Sequence, residues 1–256
     1  MIHASAIVDP SATLAADCEV GPYTVIGPGV TIGAGCRIGP HVVIKGPTKI
    51  GARNRIYQFA SVGEDPQDLK YGGEPTELHI GDDNVIRECA TLNRGTAGGG
   101  GITRVGDHNL FMAYIHVAHD CDVGSHTVFA NSASLAGHVR VGDHAILAGF
   151  AGVHQFCTVG EHAFVGLHSV VNGDVAPFTM VVGNYAKGRG INKNGLRRRE
   201  FGEPTIAALH RAYMRVLHRH GSREEAITSL RPEIDAHAEV RRFVDFIVSS
   251  ERGVVR

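Results

Sequence analysis

Aliphatic residues recur at every sixth position through most of this chain. Starting at Ile2, steps of six land on Val8, Leu14, Val20, Ile26, Ile32, Ile38, Ile44, Ile50, Ile56 and Val62. A second register holds Ile80, Ile86 and Leu92, and a third holds twelve apolar stops from Val105 and Phe111 through to Val171. Glycine often follows the apolar residue, as at Gly21, Gly33, Gly51, Gly106 and Gly142. A period of six is neither the 3.6 of a helix nor the alternation of a surface strand. It is the signature of a parallel β-helix, in which each hexapeptide supplies one short strand and a turn. Glycine is expected to relieve the backbone where the chain bends. With three hexapeptides per triangular coil, residues 18 apart stack at about 4.8 Å and the inward aliphatics form one continuous core. Spacing leaves the hand of the coil open.

Two segments break the register: the polar, turn-rich 63–79 and the glycine-rich 95–104. Both read as loops expelled from the coil, where function commonly sits on a rigid scaffold. The pattern ends near Pro177, which places a β-helix at 1–186 and a helical segment at 187–256. In the latter, Ile206, Leu209, Tyr213, Val216 and Leu217 follow helical spacing behind Pro204. Ser222 opens a capping box, and Val240, Phe243, Val244 and Ile247 share one helix face. A chain with no Trp, 6% aromatics and 33 glycines suits a core of short aliphatic side chains and tight turns.

The net charge is −1 but is unevenly spread, about −7 over 1–186 and +6 over 187–256. The basic end suits an acidic partner or a phosphorylated ligand, or else a solvated helical surface; charge alone does not choose. The five cysteines form no C-x-x-C pair, and an odd count does not suggest a disulfide framework. The beginning, "MIHASAIVDP", lacks the basic and apolar regions of a signal peptide, and no apolar run is long enough to span a bilayer. A cytoplasmic protein with reduced thiols is expected.

Histidines crowd the stretch Tyr114–Phe156, and the stacking rule sorts them. His108, His126, His144 and His162 lie 18 apart and form one column, expected at a solvated or intersubunit turn. A second group is irregular. His119 stacks under Gly137 and Gly137 under Gln155, while Asp120 stacks under His138; His116 and His154 lie beside them. Zinc requires suitable geometry, and the H-x4-H pair used by the gamma-class carbonic anhydrases on hexapeptide scaffolds is absent from this group. The other reading is a general base. An imidazole titrating near ~6.5 can take a proton from a sugar hydroxyl, with Asp120 fixing the tautomer. A backbone N–H at Gly137 would serve an oxyanion. Acyl transfer from a thioester needs these two devices and no metal or cofactor.

The stretches "RIYQFASVGEDPQDLKYGGEPTELHIGD", "NRGT", "HVAHDC", "LAGHV", "VHQFC" and "GLRRR", with the ending "RGVVR", cover essentially the whole chain. In these the sequence resembles the acyl-(acyl carrier protein)–UDP-N-acetylglucosamine O-acyltransferases, which begin lipid A synthesis. The resemblance implies a left-handed β-helix, a cytoplasmic homotrimer with sites between subunits, and no cofactor, nucleic acid or stable membrane insertion. It implies transfer of an R-3-hydroxyacyl chain from acyl carrier protein to the glucosamine 3-hydroxyl. By motif, His119 is the base, Asp120 its orienting partner and Gly137 the oxyanion donor. Asp68 and Lys70 match sugar and phosphate contacts; His116, His138, His154 and Gln155 match pocket residues; Asn192 and Arg198 match the nucleotide region. Three positions depart from the family's common residues: Asn93 for His, Asn194 for Glu, and Leu167 for the Gly of some members. Leu167 is expected to limit acyl length. Alternatives are a zinc enzyme on the same scaffold, a non-catalytic trimeric module, and the related N-acyltransferase, whose extra N-terminal domain is not expected where repeats begin at Ile2.

Overall fold

A computed structural model describes residues 1–218 and 222–256. The hexapeptides form three parallel sheets of nine, eight and ten strands, each strand pairing with the one three strands later in sequence, except at the last coils. Register follows the expected 18-residue step, as in Ile7 with Val25, Leu14 with Ile32 and Val117 with Leu135. The fold is a left-handed parallel β-helix with a small helical end. Inward aliphatics from Val20 to Val181 merge into one core, and Leu92, Phe111, Leu147 and Val165 are fully buried. Truncating one such rung, Leu147→Ala for example, would cost about 2–5 kcal/mol. Ile2, the first stop of the repeat, stays half exposed.

The expelled loops are shorter than the sequence suggests. Strand Ser61–Glu64 runs into the first and Glu77–Ile80 leaves it, so pairing partners across it, such as Val62 and Leu92, are 30 residues apart. The second falls between Thr91–Asn93 and Ile102–Val105. Extended backbone at both loop edges completes the ladders of the neighbouring coils, and polar composition hid it.

Glycine plays a different part from the one expected. The left-handed corners are filled chiefly by His, Tyr, Phe, Asp and Ser, three residues before each inward aliphatic; His108, Asp120, His138 and Phe156 have φ between 56° and 64°. Such backbone costs an L-residue roughly 1–2 kcal/mol. Two contacts offset this. Most corner N–H groups donate to a carbonyl one coil below, as from His126 to Asp107 (2.8 Å) and from His138 to His119 (3.0 Å). Corner rings also stack: His108, His126, His144 and His162 have successive centroids 4.8, 4.8 and 4.6 Å apart. Stacked rings contribute about 0.5–1.5 kcal/mol each. The repeat glycines instead allow close approach between coils. A Cβ on Gly33 would sit 2.6 Å from the Gly51 carbonyl oxygen, and one on Gly21 would sit 2.8 Å from the Gly39 carbonyl carbon.

The histidine ladder is not solvated throughout. Its upper end is buried: His162 lies between His144 and Phe178, edge-on to Phe201, and Arg199 donates to His144 Nδ1 (2.6 Å). Phe201 and Arg199 belong to the helical end, whose helices include α1 (Lys193–Arg198), α2 (Glu203–Tyr213) and α3 (Ala238–Ser249). α2 and α3 bury Ile206, Leu209, Tyr213, Phe243 and Ile247 in a second core. Strand Lys187–Ile191 pairs antiparallel with Thr179–Val182 and joins this core to the coil. Ser222 accepts from the Glu225 N–H at 3.5 Å, so the expected cap forms with a long bond.

The cysteines are free, and Cys18, Cys36, Cys121 and Cys157 are buried in the coil. Burial pushes the Cys121 thiol up to about 12, which keeps it protonated and inert.

Candidate active site

One corner of the prism carries Asp120, His138 and Phe156 in successive coils, each preceded by His119, Gly137 or Gln155. The left-handed turn at Asp120 folds its carboxylate back toward the preceding imidazole. His119 Nδ1 lies 2.8 Å from Asp120 Oδ2, with the carboxylate fully buried and the imidazole 13% exposed. An ionised carboxylate only accepts, so Nδ1 carries the proton and Nε2 keeps a free lone pair.

Gly137 is required for this arrangement. A Cβ there would lie 2.5 Å from His119 Cε1 and 2.7 Å from Nε2, so the ring rests on the bare Cα. The Gly137 carbonyl accepts from the Phe156 N–H (3.2 Å), while its own N–H has no partner among the described residues. An open amide beside a basic nitrogen can stabilise an oxyanion formed at the same place.

His138 stands edge-on to His119 with centroids 5.1 Å apart, and stacks on Phe156 at 4.4 Å. Its Nε2 is 3.7 Å from Asp120 Oδ2. His116 lies on the outer face of the adjoining sheet and shares a 2.7 Å hydrogen bond with Thr91. Burial first, and His119 second, lower its pKa and favour the neutral imidazole. His154 and Gln155 are exposed one coil above Gly137, with Arg252 3.4 Å from His154. A cleft of about 640 Å³ opens beside the corner, lined by Asp120, His138, Arg140, Phe156, Asp174 and Arg252 among others. Among the described residues, His119, Asp120 and His138 are the trio whose ligand atoms lie within 4.8 Å of one another. Both Asp120 oxygens are already engaged, however: Oδ1 accepts from the Thr96 N–H (2.7 Å), and Oδ2 from the Thr96 hydroxyl (2.6 Å) as well as His119.

The other expected residues lie elsewhere on the chain. Asp68 caps its own turn by accepting from the Lys70 N–H (3.0 Å), and the Lys70 side chain is exposed. Leu167 is 61% exposed and sits over Gly149 on a second corner, beside the Phe150–His168 stack. Asn192 caps α1 through Gly195 and donates to the His162 carbonyl (3.0 Å), at the head of the third corner. Arg198 is exposed without a partner among the described residues, and Asn194 is exposed.

Comparisons with known proteins bear on this whole arrangement. A family described as UDP N-acetylglucosamine O-acyltransferase, domain 2, matches residues 174–255, and the bacterial transferase hexapeptide matches 1–34 and 29–64. The acyl-(acyl-carrier-protein)–UDP-N-acetylglucosamine O-acyltransferase of Thiobacillus denitrificans is 55% identical, over 100% of this chain and 99% of its own. The chain belongs to the UDP-N-acetylglucosamine O-acyltransferase family. The same-named protein of Halorhodospira halophila is 56% identical at the same coverage. The crystal structure of the Moraxella catarrhalis UDP-N-acetylglucosamine O-acyltransferase is 46% identical, covers 100% of this chain and 99% of its own, and superposes with a TM-score of 0.97. The protein is therefore an acyltransferase.

Within this acyltransferase, reasoning from sequence missed the residues that hold the dyad and the first loop. Arg94 is buried and donates to the carbonyls of Gly46 (2.6 Å) and Gly63 (3.1 Å), and also to Tyr71 and Asp65. Asn93 donates to the Asp65 carbonyl (2.9 Å). The "NRGT" motif thus latches the loop that bears Asp68 and Lys70. A buried arginine beside an expelled loop was the available signal.

Proposed function

We propose that the protein transfers an R-3-hydroxyacyl chain from the thioester of acyl carrier protein to the 3-hydroxyl of UDP-N-acetylglucosamine, the first step of lipid A synthesis. The observation that carries this reading is the His119–Asp120 pair, which leaves Nε2 open beside the free amide of Gly137. His119 Nε2 takes the hydroxyl proton as the sugar oxygen attacks the thioester carbonyl. The Gly137 N–H donates to the tetrahedral oxyanion, and Asp120 stabilises the imidazolium as it forms. When the intermediate collapses, the C–S bond breaks and His119 returns the proton to the leaving thiolate. His116, His138, His154 and Gln155 surround the sugar and acyl carbonyl.

The remaining residues act across subunits of a homotrimer. Within one chain Leu167, Asn192 and the dyad occupy three different corners, and association of copies offers a way to bring such corners together. Exposed Tyr114, Phe150, Phe156 and Leu167 along two corners give such an assembly apolar surface to bury. In it, Asp68 and Lys70 hold the sugar and phosphate, Asn192 and Arg198 hold the nucleotide, and Leu167 limits chain length. The basic helical end receives the acidic carrier protein. Among the described residues no helix is long and apolar enough to cross a membrane. We place the enzyme in the cytoplasm, free of nucleic acid, cofactor or metal.

Incubation with UDP-N-acetylglucosamine and a panel of R-3-hydroxyacyl carrier proteins, read by product mass, tests the reaction. His119→Ala should lower kcat by about 10²–10⁴ while leaving the protein folded. Undiminished turnover in that variant would remove the base from His119, and a product acylated on an amine would reassign the acceptor.

A further inference from the structure

The second expelled loop does more than bypass a coil. It returns over the dyad, and Thr96 meets both oxygens of Asp120: the backbone N–H reaches Oδ1 at 2.7 Å and the hydroxyl reaches Oδ2 at 2.6 Å. The Thr96 hydroxyl accepts in turn from the Gly99 N–H (3.1 Å), and the Thr96 carbonyl accepts from the Gly101 N–H (2.8 Å). One hydroxyl is thus donor and acceptor together, which neither an alanine nor a valine can reproduce. Gly99 faces the carboxylate so closely that any Cβ there would overlap it. From below, the Asp120 N–H donates to the Thr103 hydroxyl (2.8 Å). The Asp120 side chain is completely buried, and Thr96 is 8% exposed.

We propose that Thr96 is a positioning residue for acyl transfer, clamping both oxygens of Asp120 and thereby fixing the tautomer and aim of His119. The proposal rests on the reading of His119 as the base. Without the clamp a carboxylate can rotate about its Cα–Cβ and Cβ–Cγ bonds, and Oδ2 no longer holds the Nδ1 proton in line. The hydroxyl also draws charge from Oδ2. Its removal changes how Asp120 holds the imidazolium, so the acid limb of the rate moves with it. The titratable groups that face His119 among the described residues are Asp120, His138 and His116. The same four-residue motif anchors the Lys70 loop through Asn93 and Arg94, so one short segment ties the sugar-binding loop to the base.

Thr96→Val keeps the backbone N–H and the side-chain volume but removes the hydroxyl. It should lower kcat/KM about 10- to 100-fold, the range of a lost charge-assisted hydrogen bond. KM for UDP-N-acetylglucosamine should hold within about twofold. The acid limb of kcat/KM should shift, and Thr96→Ser should restore both rate and limb. Thr96→Ala is the parallel truncation if valine disturbs folding, with melting and oligomeric state checked for each. In an Asp120→Asn background, Thr96→Val should cost less than about twofold more, because its whole effect passes through that carboxylate. Wild-type kcat/KM with an unmoved limb in the truncations, no rescue by serine, or full multiplication of the two losses would overturn the assignment. His119→Ala separates the two levels: if it stays active the base reading itself fails, and if it is dead while Thr96→Val is unaffected only the role of Thr96 falls.

Discussion

The imidazole of His119 lies against Gly137, one coil above, with Nε2 2.7 Å from the point where a side chain would begin. The proposed base and the proposed oxyanion donor are thereby held by the same stacking step that builds the fold. Gly137→Ala should push the ring off its carboxylate. We expect kcat to fall at least about 10²-fold, with thermal stability lowered as well because the added Cβ overlaps the ring at a buried position. Steady-state kinetics alongside a melting curve check this, and near-normal kcat would show that the ring has room to move.

Leu167 projects over Gly149, where the outer surface of the corner is otherwise bare. Leu167→Gly should shift the preferred donor toward longer acyl chains by several methylenes, each worth about 0.8 kcal/mol if buried. Competition between carrier proteins of different chain length gives the answer directly. An unchanged preference would mean that the ruler lies elsewhere.

The pKa of His162 is pushed down to about 4 by burial, aided by His144, Arg199 and Arg242. The unfolded chain therefore binds more protons between about pH 6.5 and 4, and folding stability is lost as pH falls through that window. The full loss is of order ~3 kcal/mol at its lower end. Thermal melts across this range should show a steep decline that flattens in His162→Phe, which keeps the stack but does not titrate. An equally steep decline in the variant would move the acid sensitivity to another group.

Chelation should leave the rate unchanged. The Asp120 oxygens that would bind a metal with His119 and His138 already accept from Thr96 and His119. Turnover after exhaustive dialysis against a chelator, with zinc added back, is the measurement. A loss restored by zinc would make the trio a metal site.

Much of the architecture was legible because a β-helix repeats one physical solution. An inward aliphatic every sixth residue fixes the coil, and equal coil length fixes which residues stack, so Leu135 over Val117 or His138 over Asp120 follows from counting. The same counting brought His119 under Gly137. It failed where a residue's task depends on what arrives from outside the repeat. Glycine was expected at the bends, yet aromatic and imidazole rings occupy them, since stacking and inter-coil hydrogen bonds offset the left-handed backbone. The ladder was expected at a solvated or intersubunit turn, and its His162 end is covered within the chain by Phe178 and Phe201.

The sequence by itself determined the coil, its vertical neighbours and the candidate residues they bring together, because a short period ties local pattern to three-dimensional contact. Only the tertiary structure decided what holds those residues in working order. Thr96 is 24 positions from Asp120, and Arg94 reaches 48 positions to Gly46. A loop outside the periodic register can settle against any coil, and the hydrogen-bond geometry of its final resting place is what selects one.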